Sequence, residues 1–80
     1  MREILYYLTE NPDAMDTVQG ILNWWMPKGY RRQGGKEIQV ALDSLVYRGW
    51  LMPRPYNNGH TVYGVNKARL KQIKEFLRGI

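Results

Sequence analysis

His60, Ser44 and the seven carboxylates are the residues of this 80-residue chain whose types could support catalysis. There is one His and there is no Cys. A nucleophile, base and orienting group need a fixed mutual geometry, and His60 lies on an expected turn tip, far in sequence from the expected helix carrying Asp43 and Ser44. A metal site needs several ligands, and one His with scattered carboxylates supplies too few. The stretch YRRQGGKE, residues 30–37, has the glycines and lysine of a phosphate loop. It fails G-x-x-x-x-G-K-[ST] at Tyr30 and again at Glu37. The expectation is a protein that is no enzyme and has no metal and no cofactor.

Cations offer more. Net charge is +5, from 12 Lys+Arg against 7 Asp+Glu. Residues 1–27 carry Arg2 against Glu3, Glu10, Asp13 and Asp16, a net of −3. Residues 28–80 carry 11 basic residues against Glu37, Asp43 and Glu75, a net of +8. No acidic residue occurs between Ser44 and Lys74. Such asymmetry suits a polyanionic partner; the plainer reading is a solvated basic face. The missing cysteines fit a cytoplasmic protein, and the start MREILYYLTENPD is a poor signal peptide. No stretch approaches the roughly 20 apolar residues of a membrane span.

Five segments must position these groups. Ile4, Leu5 and Leu8 mark a first helix that stops at Asn11-Pro12. Asp16 followed by Gln19 is a capping-box pattern for a second, over residues 16–26. Met15, Val18, Leu22 and Trp25 would line one face of it, widened by Ile21. Gly20 costs about 1 kcal/mol relative to Ala there unless something packs closely against it. Residues 36–49 read as a third helix with Ile38, Ala41, Leu42 and Leu45 inward and Gly49 as the stop. Asn58-Gly59 signals a hairpin, and Pro53 and Pro55 demote its first arm to an edge or irregular strand. Asn66 caps a last helix, 66–80, with Leu70, Ile73, Leu77 and Ile80 on its apolar stripe.

The run IQVALDSLVYRGWL followed by YNNGHTVYGV resembles the winged helix-turn-helix family. Ile38, Ala41, Leu42, Leu45, Gly49 and Leu51 occupy the apolar, small and glycine positions of that family's recognition helix. The resemblance covers roughly residues 4–65, with the last helix as an addition, and implies one α+β domain over residues 1–80. The family's turn between its second and third helices is often only a few residues. Here Pro27 to Gly35 spans nine, with Gly34-Gly35 expected as a flexible lead-in to the third helix.

The resemblance implies a small transcriptional regulator on double-stranded DNA, with helix 36–49 in the major groove and the wing, 54–62, on the backbone. Lys36, Gln39, Val40 and Ser44 would face the groove with Asp43, and Gln39 could pair with adenine. Glu37 and Asp43 oppose phosphates, and no Arg precedes Arg48 on this helix. Arg54, Asn57, Asn58 and His60 are expected together at the wing tip, or as ordinary turn chemistry. Arg31 and Arg32 would clamp phosphates, or simply solubilise a loop. Lys67, Lys71, Lys74 and Arg78 read as a solvated face. The apolar side of the same helix would pack on the first helix or form a homodimer. The alternative is a winged-helix protein–protein interaction module without nucleic acid. Trp24 and Trp25, about 100° apart on a helix, cannot both be central to one buried stripe. Trp25 is expected inside. Trp24 is expected partly exposed, covered by Tyr30 or Pro27 or free to anchor a partner.

Overall fold

The computed structural model describes residues 2–26 and 34–79. Helix α1 runs Arg2–Glu10 and buries Ile4, Leu5 and Leu8. Asn11 ends it, donating both its backbone N–H (2.9 Å) and its side-chain amide (3.0 Å) to the Tyr7 carbonyl. A two-residue strand, β1 (Met15–Asp16), follows. Helix α2 starts as α-helix over Val18–Gly20 and widens into a π-helical turn over Ile21–Trp25. Helix α3 is Gly34–Tyr47, strand β2 is Leu51–Pro55 and strand β3 is Thr61–Val65. A 3₁₀ turn, Lys67–Arg69, leads into α4, Leu70–Leu77. The sheet is antiparallel in the order β1-β3-β2, so the architecture is α+β with four helices and three strands described.

Several local expectations need correction. The cap of α2 is Thr17, one residue later than expected: its hydroxyl accepts from the Gly20 N–H at 3.2 Å. Asp16 belongs to β1, pairing with Tyr63, and its carboxylate accepts from the Thr17 N–H at 2.8 Å. Met15 pairs with Gly64 in the same strand and is exposed, so it is not part of the helical stripe. Gly34 and Gly35 open α3, two residues earlier than expected, with Gly34 at φ 76°. Residues 27–33 of that segment lie outside the described residues, as does Ile80.

What packs against Gly20 is the Asp16 carboxylate. An ideal Cβ at Gly20 would lie 1.9 Å from Asp16 Oδ1. Gly20→Ala, which gains about 1 kcal/mol in an open helix, must here push the Asp16 carboxylate off the Thr17 N–H, a loss of about 1 kcal/mol that is expected to cancel the gain. With Asp16 removed, the same substitution should show the gain. Thermal melts of the single and double variants check it, and a stabilised Gly20→Ala would refute the clash.

Helix α3 turns Ile38, Leu42 and Leu45 into the core. It stops as its glycine predicts: Gly49 has φ 78°, its N–H donates to the Val46 carbonyl, and the Trp50 N–H donates to Leu45. This paired closure satisfies carbonyls that the helix end would otherwise orphan. The hairpin registers Leu51 with Val65, Pro53 with Tyr63 and Pro55 with Thr61. Tyr56 N–H donates to the His60 carbonyl at 2.7 Å. By the alternation of antiparallel pairs, the prolines stand at positions whose nitrogens point away from β3. Asn66 holds the end of β3 to the end of α3, donating its amide to the Gly49 carbonyl at 2.9 Å.

The last helix folds back on the first. Ile73 and Leu77 are buried, and Arg2 Nη2 donates to the Leu77 carbonyl at 2.7 Å. A cation at a helix C-terminus also meets the negative end of its dipole. Two guanidiniums lie over the Phe76 ring, Arg2 at 5.3 Å and Arg48 at 5.9 Å from its centre, and Trp50 meets it edge-on at 5.2 Å. The apolar side of α4 is thus used within the chain.

Candidate nucleic-acid interface

At about 100° per residue, Lys36, Val40, Asp43 and Tyr47 fall within about 60° of one another, opposite the buried stripe of α3. All four are exposed, Val40 by 64% and Tyr47 by 88%. Tyr47 was not among the expected contact residues. Its signal was present in the sequence, because it continues the stripe eleven residues after Lys36. Ser44 and Glu37 flank this stripe on one side, Ser44 half-buried and Glu37 exposed.

Gln39 flanks it on the other side and is held there. Its amide nitrogen donates to Asp43 Oδ1 at 2.9 Å and to the Tyr63 hydroxyl at 3.0 Å. Asp43 fixes the orientation, since a flipped amide would set two acceptor oxygens against each other. Tyr63 is a buried residue of β3. The pair therefore straps α3 to the hairpin, and a paired adenine would have to displace both bonds.

The hairpin tip is a 3₁₀ turn, Asn57–Gly59, with Asn58 at φ 57° and Gly59 at φ 78°. Left-handed backbone at both positions suits Asn-Gly and no bulky residue. Asn57, Asn58 and His60 are exposed there. Arg54 does not join them. Side chains alternate along a strand, so Arg54 lies on the face opposite Pro53 and Pro55. It lines a separate cleft of about 400 Å³ with Met15, Met52 and Lys67. The expected wing-tip cluster is therefore Asn57, Asn58 and His60 without Arg54.

An open groove of about 630 Å³ runs between α2, α3 and the tip. Thr17, Gln19, Gln39, Tyr56, His60 and Tyr63 are among the polar side chains that line it. Three separate elements thus present polar side chains to one concave surface. Lys36 is exposed on α3, and Arg31 and Arg32, expected to reach phosphates, lie outside the described residues.

Elsewhere, Trp25 is buried and stacked on Tyr7 at 4.8 Å and 11°, while Trp24 is 74% exposed. The expected division between the two tryptophans holds. Its suggested covers, Pro27 and Tyr30, are outside the described residues. Lys67, Lys71, Lys74 and Arg78 are exposed, with Lys67 paired to Asp13. Among the described residues, no three His, Asp or Glu side chains stand together to hold a metal, and no helix is long and apolar enough to cross a membrane. No family model, curated protein or solved structure matches the chain.

Proposed function

We propose that this chain is a small winged-helix DNA-binding domain of a cytoplasmic transcriptional regulator, acting by binding and not by catalysis. Helix α3 enters the major groove, and the β2–β3 hairpin is the wing that meets the backbone. One observation carries the reading: the groove that opens between α3, the start of α2 and the hairpin tip. A helix that enters the major groove must be exposed, with polar side chains beside it to meet the backbone, and here α3 is exposed beside the polar side chains of Thr17, Gln19, Tyr56 and His60. Cations before α3 supply the phosphate contacts.

The test is a fluorescence-anisotropy titration against a random-sequence duplex of about 30 base pairs, at about 50 and 200 mM salt. Binding that weakens steeply with salt is expected. Absence of binding at the lower salt would remove the proposal.

A second reading rests on Trp24. A tryptophan so exposed is an unusual expense for a monomer and a common anchor at protein interfaces. Under that reading the chain is a protein–protein interaction module, and Trp24→Ala abolishes partner pull-down while circular dichroism is unchanged. Retained pull-down by the folded variant would eliminate Trp24 as the anchor.

A further inference from the structure

We propose that α3 selects its site through pyrimidines: Val40 packs on a thymine methyl, and Asp43 accepts from the amino group of a cytosine one step away. This inference rests on the DNA-binding reading above and adds which bases are read.

Three observations lead to it. First, the outward stripe of α3 holds no Arg and a single Lys, Lys36, in its first turn, so the contact to guanine that Arg or Lys makes is confined to that end of the helix. Second, the residue best suited to adenine is engaged, because Gln39 donates to both Asp43 and Tyr63. Third, the groups left at the centre of the stripe are a branched apolar side chain and a carboxylate. Val40 is 64% exposed and Asp43 is exposed. Only thymine offers a methyl in the major groove, and cytosine N4 is a donor with no competing acceptor on its own base edge. Asp43 uses one oxygen on Gln39, so the other remains to accept.

Spacing sets the order. Val40 and Asp43 are three residues apart, almost one helical turn, so they stand roughly 4.5 Å apart along the α3 axis. Successive bases on a strand rise by about 3.4 Å. The two side chains therefore address neighbouring pyrimidines. The Gln39 strap gives Asp43 a second function, because the carboxylate that reads the cytosine also keeps the glutamine off the bases.

The experiment selects sites from a random duplex pool with the wild type, Asp43→Asn and Val40→Ser. Both positions are exposed, and thermal melts establish that the variants fold. Selected wild-type sites are expected to share a cytosine beside a thymine. Replacing the cytosine should weaken wild-type binding about tenfold. Replacing the thymine by uracil, which removes only the methyl, should weaken it about fourfold and should have little effect on Val40→Ser. Asp43→Asn should exchange the preferred cytosine for adenine, since an amide matches adenine N6 and N7. Duplex binding whose selected sites are unchanged by Asp43→Asn, and which is indifferent to uracil, would overturn this inference and leave the DNA-binding reading intact. No duplex binding at low salt would overturn both.

Discussion

Trp25→Ala is expected to lose about 4 kcal/mol of folding stability, about half of what a chain of 80 residues holds at about 0.1 kcal/mol per residue. The indole is buried among α1 and α2 side chains and lies flat on Tyr7, with ring centres 4.8 Å apart. Truncation removes that contact and leaves a cavity at the point where α2 meets α1. A small core has few other contacts to compensate. Its neighbour provides an internal control. Trp24, 74% exposed, should change stability by no more than about 0.5 kcal/mol when replaced by Ala. Urea denaturation followed by circular dichroism measures both. A loss below about 1 kcal/mol for Trp25→Ala would mean that the π-helical turn does not anchor the core.

The second large effect is electrostatic. Lys28, Arg31, Arg32 and Lys36 place four cations within nine residues that hold no acid, ending just before Glu37. If each meets one phosphate, the affinity falls as roughly the 3.6 power of salt, about a hundredfold between about 50 and 200 mM. Neutralising Arg31 and Arg32 together halves that exponent and leaves a fall of about tenfold, with weaker binding on every sequence alike. An unchanged salt slope in the double variant would remove both arginines from the interface. Neutralising Arg54 should alter the slope far less, because it lines the cleft on the reverse face of the sheet with Met15 and Met52.

Elements with strong local rules were legible in the sequence. Asn58-Gly59 accepts left-handed backbone more readily than other pairs, and it turns the hairpin. Gly49 closes α3 by the same rule, and the stripe Ile38, Leu42, Leu45 fixes which side of α3 is inward. The two tryptophans divided correctly because successive helical side chains diverge. Strand β1 was not legible: two residues cannot show an alternating pattern, and they are ordered only by Gly64 and Tyr63, nearly fifty residues later. That pairing also took Asp16 out of the cap position and passed the role to Thr17. At the candidate site, the restraint on Gln39 depends on Tyr63 arriving from another strand, which periodicity on α3 cannot reveal. Arg54 was different. Its alternation with Pro53 and Pro55 already placed it across the sheet from them, and grouping it with the tip by proximity in sequence overrode that information.

The prolines of β2 have a consequence beyond the hairpin. Strand β2 ends the sheet, and at Pro53 and Pro55 the outward backbone positions carry no hydrogen to donate. A foreign strand laid along this side would find a broken ladder, so amyloid-like stacking and strand exchange between copies have no template here. The opposite margin, β1, is two residues long and too brief to serve as one. A sheet so blunted can stay exposed at high protein concentration during refolding, and any association it enters must be made by side chains.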